Sequence, residues 1–125
     1  KDTINDVGAK RLVIDSYSIL NTYFENANEM RRSILLLGRE LQSSGCTTFV
    51  ISDVREGETG FSTSGFEEFA VDGIISLSLV LNTERSVFIR SALVRKMRDV
   101  NHSLKRVPFK TTKEGVVIYP DAEIF

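Results

Sequence analysis

Apolar positions fall in short blocks, and their period changes along the chain. In "RLVIDS", residues 11–16, Val13 and Ile14 centre a short apolar run that reads as a buried strand over residues 11–15. From Asn28 to Gln42 the period lengthens. Met30, Ile34, Leu37 and Leu41 recur at spacings of four, three and four, which is one stripe of an amphipathic helix. Gly45 stands just past its end as a stop. "TTFVIS", residues 47–52, is rich in β-branched side chains and reads as a second strand. Strand, helix and strand in that order predict a right-handed crossover and parallel neighbours. "REGETGFSTSG", residues 55–65, carries three glycines among polar residues and is expected to be a mobile surface loop. Beyond it only strand patterns occur. "DGIISLSLVL", 72–81, and "ERSVFIRSALVRK", 84–96, read as an antiparallel pair about an Asn82–Thr83 turn. "VPFKTT", 107–112, and "GVVIYP", 115–120, read as a last hairpin about Lys113–Glu114. The pattern predicts an α/β half followed by a β-rich tail.

Composition narrows the class. With 125 residues, 42% hydrophobic and 26% charged, the chain suits one soluble globular domain. No apolar run reaches the roughly 18 residues of a membrane span, and the first residues lack a signal-peptide core. The chain begins at Lys1 rather than methionine, so a preceding segment is expected. One cysteine, Cys46, cannot form an internal disulfide, which fits a reducing cytoplasm. With one histidine and one cysteine the usual zinc sites are excluded. The net charge of -1 hides an uneven distribution. Arg85 to Lys113 holds nine Lys or Arg against Asp99 alone, and Asp53 to Asp72 holds six acids against Arg55. A basic carboxyl-terminal third could meet phosphate or an acidic neighbour, but composition alone favours a solvated sheet face.

Asp15 closes the first strand. A carboxylate there suits a magnesium partner in phosphoryl transfer, but an Asp after a strand more often caps the next turn or helix. Phosphate binding would call for GxxxxGK[ST]. The only glycines five apart are Gly60 and Gly65 in "GFSTSGFEE", where Phe66 and Glu67 replace the required Lys and Ser/Thr. The chain holds a candidate for the magnesium side and none for the phosphate cradle.

Three segments then alter the reading. "EEFAVDGIISL", "VRKMRDVNH" and "VPFKTTKEGVVIYP" follow one another in an order and spacing that resembles the carboxyl-terminal half of a KaiC-type ATPase domain. That family lies in the RecA superfamily with the RadA-like recombinases. The resemblance runs from Arg11 to Pro120, and its most specific piece is Lys-x-Arg-x-x-x-His at Lys96, Arg98 and His102. It implies an α/β fold: part of a RecA-like P-loop NTPase sheet without its phosphate-loop half, with an antiparallel carboxyl-terminal β extension. Residues 1–125 would be the carboxyl-terminal portion of a single ATPase domain.

The resemblance also implies roles. Asp15 matches the Walker B aspartate, holding magnesium through water, with Ser16 beside it. Lys96 and Arg98 match the pair that reaches a neighbouring subunit's terminal phosphate in a hexameric ring. Met97 between them, with His102, Thr112 and Lys113, matches positions lining the rest of that nucleotide. The implied cofactors are ATP and magnesium, and the implied partners are further copies in a ring and protein clients. Read without the family, Lys96 and Arg98 are two exposed strand cations, His102 a loop histidine, and Thr112 and Lys113 ordinary turn residues. Two positions depart from the family. Asp99 stands where glycine is common, and could weaken phosphate attraction or pair with Arg98 in an empty site. Ser52-Asp53 stands where the strand commonly ends Thr-x-Glu. Two rival classes remain: a RadA-like paralogue binding DNA, and an inactive oligomerisation scaffold. The loop over 55–65 fits DNA poorly, with one cation, Arg55, and one aromatic, Phe61.

Overall fold

The hydrophobic period changes from helical to strand-like near residue 72, and the fold divides there too. The computed structural model describes residue 4, residues 6–16, residue 19, residues 22–54, residues 67–122 and residue 124. They fall in two units, Lys1–Val71 and Asp72–Phe125. The expected loop over 55–65 lies outside the described residues.

The first unit contains β1 (Arg11–Ile14), α1 (Ala27–Ser43), β2 (Thr47–Val50) and the short α2 (Glu67–Ala70). β1 and β2 are parallel, from Arg11 opposite Thr47 to Ile14 opposite Val50. The pairing is extended by Thr47 N–H donating to Lys10 O at 3.0 Å and Ile51 N–H to Ile14 O at 2.9 Å. The parallel pair expected from the strand–helix–strand pattern is therefore present. α1 runs one residue further at each end than the expected Asn28–Gln42. Asn26 starts it, its side-chain oxygen accepting from Glu29 N–H at 2.9 Å, which satisfies one of the helix's free donors. Past the other end Gly45 adopts φ +69°, a left-handed conformation open to glycine without penalty. The stripe is the covered side: Ile34 is buried, and Met30, Leu37 and Leu41 are half-buried, whereas Leu35 and Leu36 are exposed.

The second unit is an antiparallel sheet in sequence order: β3 (Gly73–Asn82), β4 (Val87–Met97), β5 (Val107–Thr112) and β6 (Gly115–Ile118). The final hairpin turns at Lys113–Glu114 as its pattern predicts, with Thr112 opposite Gly115. The β3–β4 connection is longer than the expected two residues, because Thr83–Ser86 all belong to the turn and β4 starts at Val87 rather than Glu84. Asn82 dictates this. Its buried side chain accepts from Arg85 N–H at 2.8 Å and donates to Ile124 O at 3.0 Å, so the amide closes the turn and anchors Ile124. The fully buried Ser91 is likewise satisfied. Its hydroxyl donates to Ser78 O at 3.2 Å and accepts from the Arg106 guanidinium at 3.1 Å, which also reaches Ser78 Oγ.

Each sheet has one covered face and one bare face. In the first unit Leu12, Ile14, Thr48 and Val50 are half-buried, while the cross-strand pair Val13 and Phe49 is 62% and 60% exposed. In the second, Ile75, Leu77, Leu79 and Leu81 occupy alternate positions of β3, with Phe88 opposite Leu81, and all five are 47–69% exposed. Among the described residues only Ile34, Ala92 and Ile124 are buried apolar side chains. Completing the burial of a large apolar side chain is worth about 1 kcal/mol or more, so these faces favour any apolar cover. Residues 1–125 produced alone are expected to self-associate or precipitate at micromolar concentration. Sedimentation velocity tests this; a monodisperse monomer with a cooperative melt would show that these faces do not require a cover.

Candidate functional site

β1 ends at Ile14, and the exposed Asp15 follows immediately. The bond from Ile51 N–H to Ile14 O keeps β2 alongside to this level, so Ser52 emerges next to the Asp15–Ser16 step. The Asp15–Ser16 peptide is cis. Ser16 is half-buried, and its carbonyl accepts from Ile19 N–H at 3.4 Å. The hydroxyls of Thr48 and Ser52 are buried without a hydrogen-bond partner. An orphaned buried hydroxyl costs about 1–3 kcal/mol, and Ser52 places one at the same strand ends as Asp15. No group of three His, Cys, Asp or Glu among the described residues could hold a metal ion. The donor set therefore does not fit a protein-built metal cage. One exposed carboxylate does fit magnesium, which keeps several waters and takes its remaining ligands from substrate phosphates.

The carboxyl end of β4 carries the two cations. Its ladder with β3 slips by one residue: Ile75 faces Val94, whereas Ile74 faces Lys96. Arg95 is the extra residue of a bulge, which turns Lys96 to the opposite face from Val94. Regular pairing then resumes, with Gly73 opposite Met97 and Arg98 N–H donating to Asp72 O at 2.7 Å. Lys96 and Arg98 thus project on one face, as their spacing predicts. Met97 turns away and fills the space beside Gly73. A Cβ on Gly73 would lie 2.9 Å from Met97 Sδ and 3.2 Å from its Cε, so a larger residue here would push the end of the methionine side chain aside.

The acid beside Arg98 is Asp72. The guanidinium donates to Asp72 Oδ1 at 2.8 Å, with the side chains 46% and 64% exposed. Pairing with Arg98 was one of two effects open to Asp99, and that contact is not made. Asp99 instead occupies the turn after β4 at φ +58°. Glycine takes this conformation freely, while aspartate is among the few other residues that tolerate it. The departure from glycine is thus compatible with the same backbone path. Asp72 is no candidate from sequence, where it reads only as the first residue of the strand over 72–81. Only the register shows that it meets Arg98.

The remaining candidates are more dispersed. His102 is half-buried and its Nδ1 donates to Ser103 O at 3.3 Å, which leaves Nε2 as the acceptor of the neutral ring. The Thr112 hydroxyl serves its own hairpin: it donates to Gly115 O at 3.1 Å and accepts from Glu114 N–H at 3.2 Å. Lys113 is exposed in that turn. β5 pairs with β4 only at Val107–Ala92 and Pro108–Ser91, and it runs antiparallel from there. The ladder therefore carries Thr112 and Lys113 away from the end of β4 that holds Lys96 and Arg98. Asp15 and Ser16 belong to the first unit, and all the other candidates to the second.

A parallel β pair around an amphipathic helix, an antiparallel extension, and a Lys-Met-Arg strand end together define a mixed α/β domain of the KaiC kind. The KaiC ATPase family model matches residues 1–123, and the chain belongs to that family. It is 46% identical to a UPF0273 protein of Methanocaldococcus jannaschii, over 97% of this chain and 48% of that protein. The UPF0273 protein of Thermotoga maritima is 41% identical over 96% of this chain and 48% of its own length. Among solved structures, a KaiC-like protein from Pyrococcus horikoshii superposes with a TM-score of 0.81 at 34% identity, over 95% of this chain and 53% of that one. The chain thus spans about half the length of the relatives it matches. No helix among the described residues is long and apolar enough to cross a membrane.

The left-handed turn yields a direct test. Asp99→Gly should leave the intact protein as stable or up to about 1 kcal/mol more so, and Asp99→Val should cost about 1–2 kcal/mol. Urea denaturation of both variants measures this. Equal stability of the valine variant and the parent would show that the turn does not hold residue 99 left-handed.

Proposed function

We propose that the chain forms the carboxyl-terminal half of one RecA-like ATPase domain of a ring-forming, KaiC-type protein that binds and hydrolyses ATP between subunits. The observation that carries this reading is the end of β4, where a bulge, a glycine and a methionine leave Lys96 and Arg98 on one face, in a chain of the KaiC family. Two cations two residues apart on an extended backbone suit the oxygens of a terminal phosphoryl group, whose charge grows in the transition state.

In this reading Asp15 is the Walker B carboxylate, with Ser16 and the orphaned Ser52 hydroxyl beside it. Asp15 would hold magnesium there, and the ion would supply charge neutralisation at the phosphates. Lys96 and Arg98 act on the nucleotide of a neighbouring subunit, and Met97 lines it through the backbone that its own side chain pins to Gly73. His102 serves the adenosine side; for Thr112 and Lys113, which the β4–β5 ladder carries away from Lys96 and Arg98, the family resemblance alone supports a place there. The phosphate loop and the group that activates water come from the half of the domain that this chain does not span. That half also covers the bare faces of both sheets. Residues 1–125 alone hydrolyse no ATP.

The test is complementation in the full-length protein. Arg98→Ala should lower turnover by about a thousandfold or more, the scale of a guanidinium at a transferring phosphoryl group. Asp15→Asn should lower it by roughly tenfold or more, with the melting temperature unchanged. Mixing the two variants should restore part of the activity, because some interfaces then pair an intact Asp15 with an intact Arg98. Recovery of nothing, with subunit exchange demonstrated by a fluorescent label, would place Arg98 at its own subunit's nucleotide or in assembly alone. Full activity of Arg98→Ala would reduce it to a surface charge, and no activity in the parent would favour the scaffold.

A further inference from the structure

We infer that Asp72 is a positioning residue for Arg98, its carboxylate holding the guanidinium at the end of β4 so that the cation meets a terminal phosphate already oriented. This rests on the role of Arg98 proposed above. Two independent contacts join the residues: the backbone bond from Arg98 N–H to Asp72 O, 2.7 Å, and the side-chain bond to Asp72 Oδ1, 2.8 Å. The first makes them cross-strand neighbours, the arrangement in which opposite charges support one another. Beside them Gly73 pairs with Met97, which continues the ladder up to both residues. An arginine just beyond the last strand residue otherwise samples many rotamers, and few direct its fork at a given point.

The strength of the pair decides between orienting and blocking. With the side chains 46% and 64% exposed, such a pair shifts an equilibrium by no more than about fivefold. That is too little to withhold a guanidinium from a multiply charged phosphate, with which it forms stronger, charge-assisted hydrogen bonds. It is enough to bias the resting rotamer. Asp72 therefore acts as a guide that Arg98 keeps or leaves at small cost.

The experiment uses the full-length assembled protein and a slowly hydrolysed ATP analogue with sulfur on the terminal phosphate, in magnesium buffer. Dissociation constants are measured for the parent, Asp72→Asn, Asp72→Ala, Arg98→Ala and the Asp72→Ala/Arg98→Ala double variant. KM, kcat and melting temperature are measured alongside. Asp72→Ala should weaken analogue binding about threefold to fivefold and lower kcat, with the melting temperature unchanged. Asp72→Asn keeps the shape and an acceptor oxygen, and should fall between parent and alanine. In the Arg98→Ala background, Asp72→Ala should change analogue binding no further. An undiminished effect of Asp72→Ala in that background would overturn the inference, since Asp72 would then act by another route. So would Asp72→Ala binding and turning over like the parent while Arg98→Ala is severely impaired, which leaves the role of Arg98 standing. If Arg98→Ala itself binds and turns over normally, the role of Arg98 fails, and the inference with it.

Discussion

Gly73 has no side chain, and Met97 occupies the space that one would fill. This contact lies at the end of β4 that carries the candidate site in the second unit. It closes the β3–β4 ladder just beyond the slip between Ile74 and Ile75, which leaves Arg95 as the extra residue of a bulge. The bulge sends Lys96 to the opposite face from Val94, and the regular pairing beyond it puts Arg98 on the same face as Lys96 and next to Asp72. A larger residue at 73 would displace the end of the Met97 side chain, while the register that aligns the two cations is set by the backbone pairs on either side of the bulge.

The second constraint is burial. Alternate positions of β3 are leucine or isoleucine on one face, and Val13 and Phe49 form an apolar pair on the first sheet, yet all are largely exposed. Sequences seldom place so regular an apolar face in water without something to cover it. The chain spans about half the length of its relatives, and the other half of the domain supplies the cover in the proposed reading. The orphaned hydroxyls of Thr48 and Ser52 fit the same picture, because polar atoms buried in the first unit still lack partners.

Much of this was legible in the sequence, for definite reasons. The helical stripe of Met30, Ile34, Leu37 and Leu41 and the alternation in β3 are periodic signals, and the elements they predict are present. Gly45 and the Lys113–Glu114 turn are local signals of the same kind. What escaped depends on register and on side chains far apart in sequence. The pattern "ERSVF" reads as strand from Glu84, but the Asn82 amide reaches both Arg85 N–H and Ile124 O, and it converts that stretch into turn. The bulge at Arg95 leaves no mark on composition. Asp99 lies next to Arg98 in sequence and drew attention as its partner, but the backbone turns there and the cross-strand Asp72 takes the contact. Family resemblance supplied roles for Asp15, Lys96 and Arg98 that neither spacing nor charge could give.

The most direct measurement is the structure of the full-length assembly with magnesium and a non-hydrolysable ATP analogue. The account predicts the Lys96 ammonium and the Arg98 guanidinium at hydrogen-bond distance, about 3 Å, from terminal phosphate oxygens of a nucleotide whose magnesium faces Asp15 of a different subunit. A terminal phosphate whose Asp15, Lys96 and Arg98 all come from one subunit, or one that the end of β4 does not reach, would contradict it.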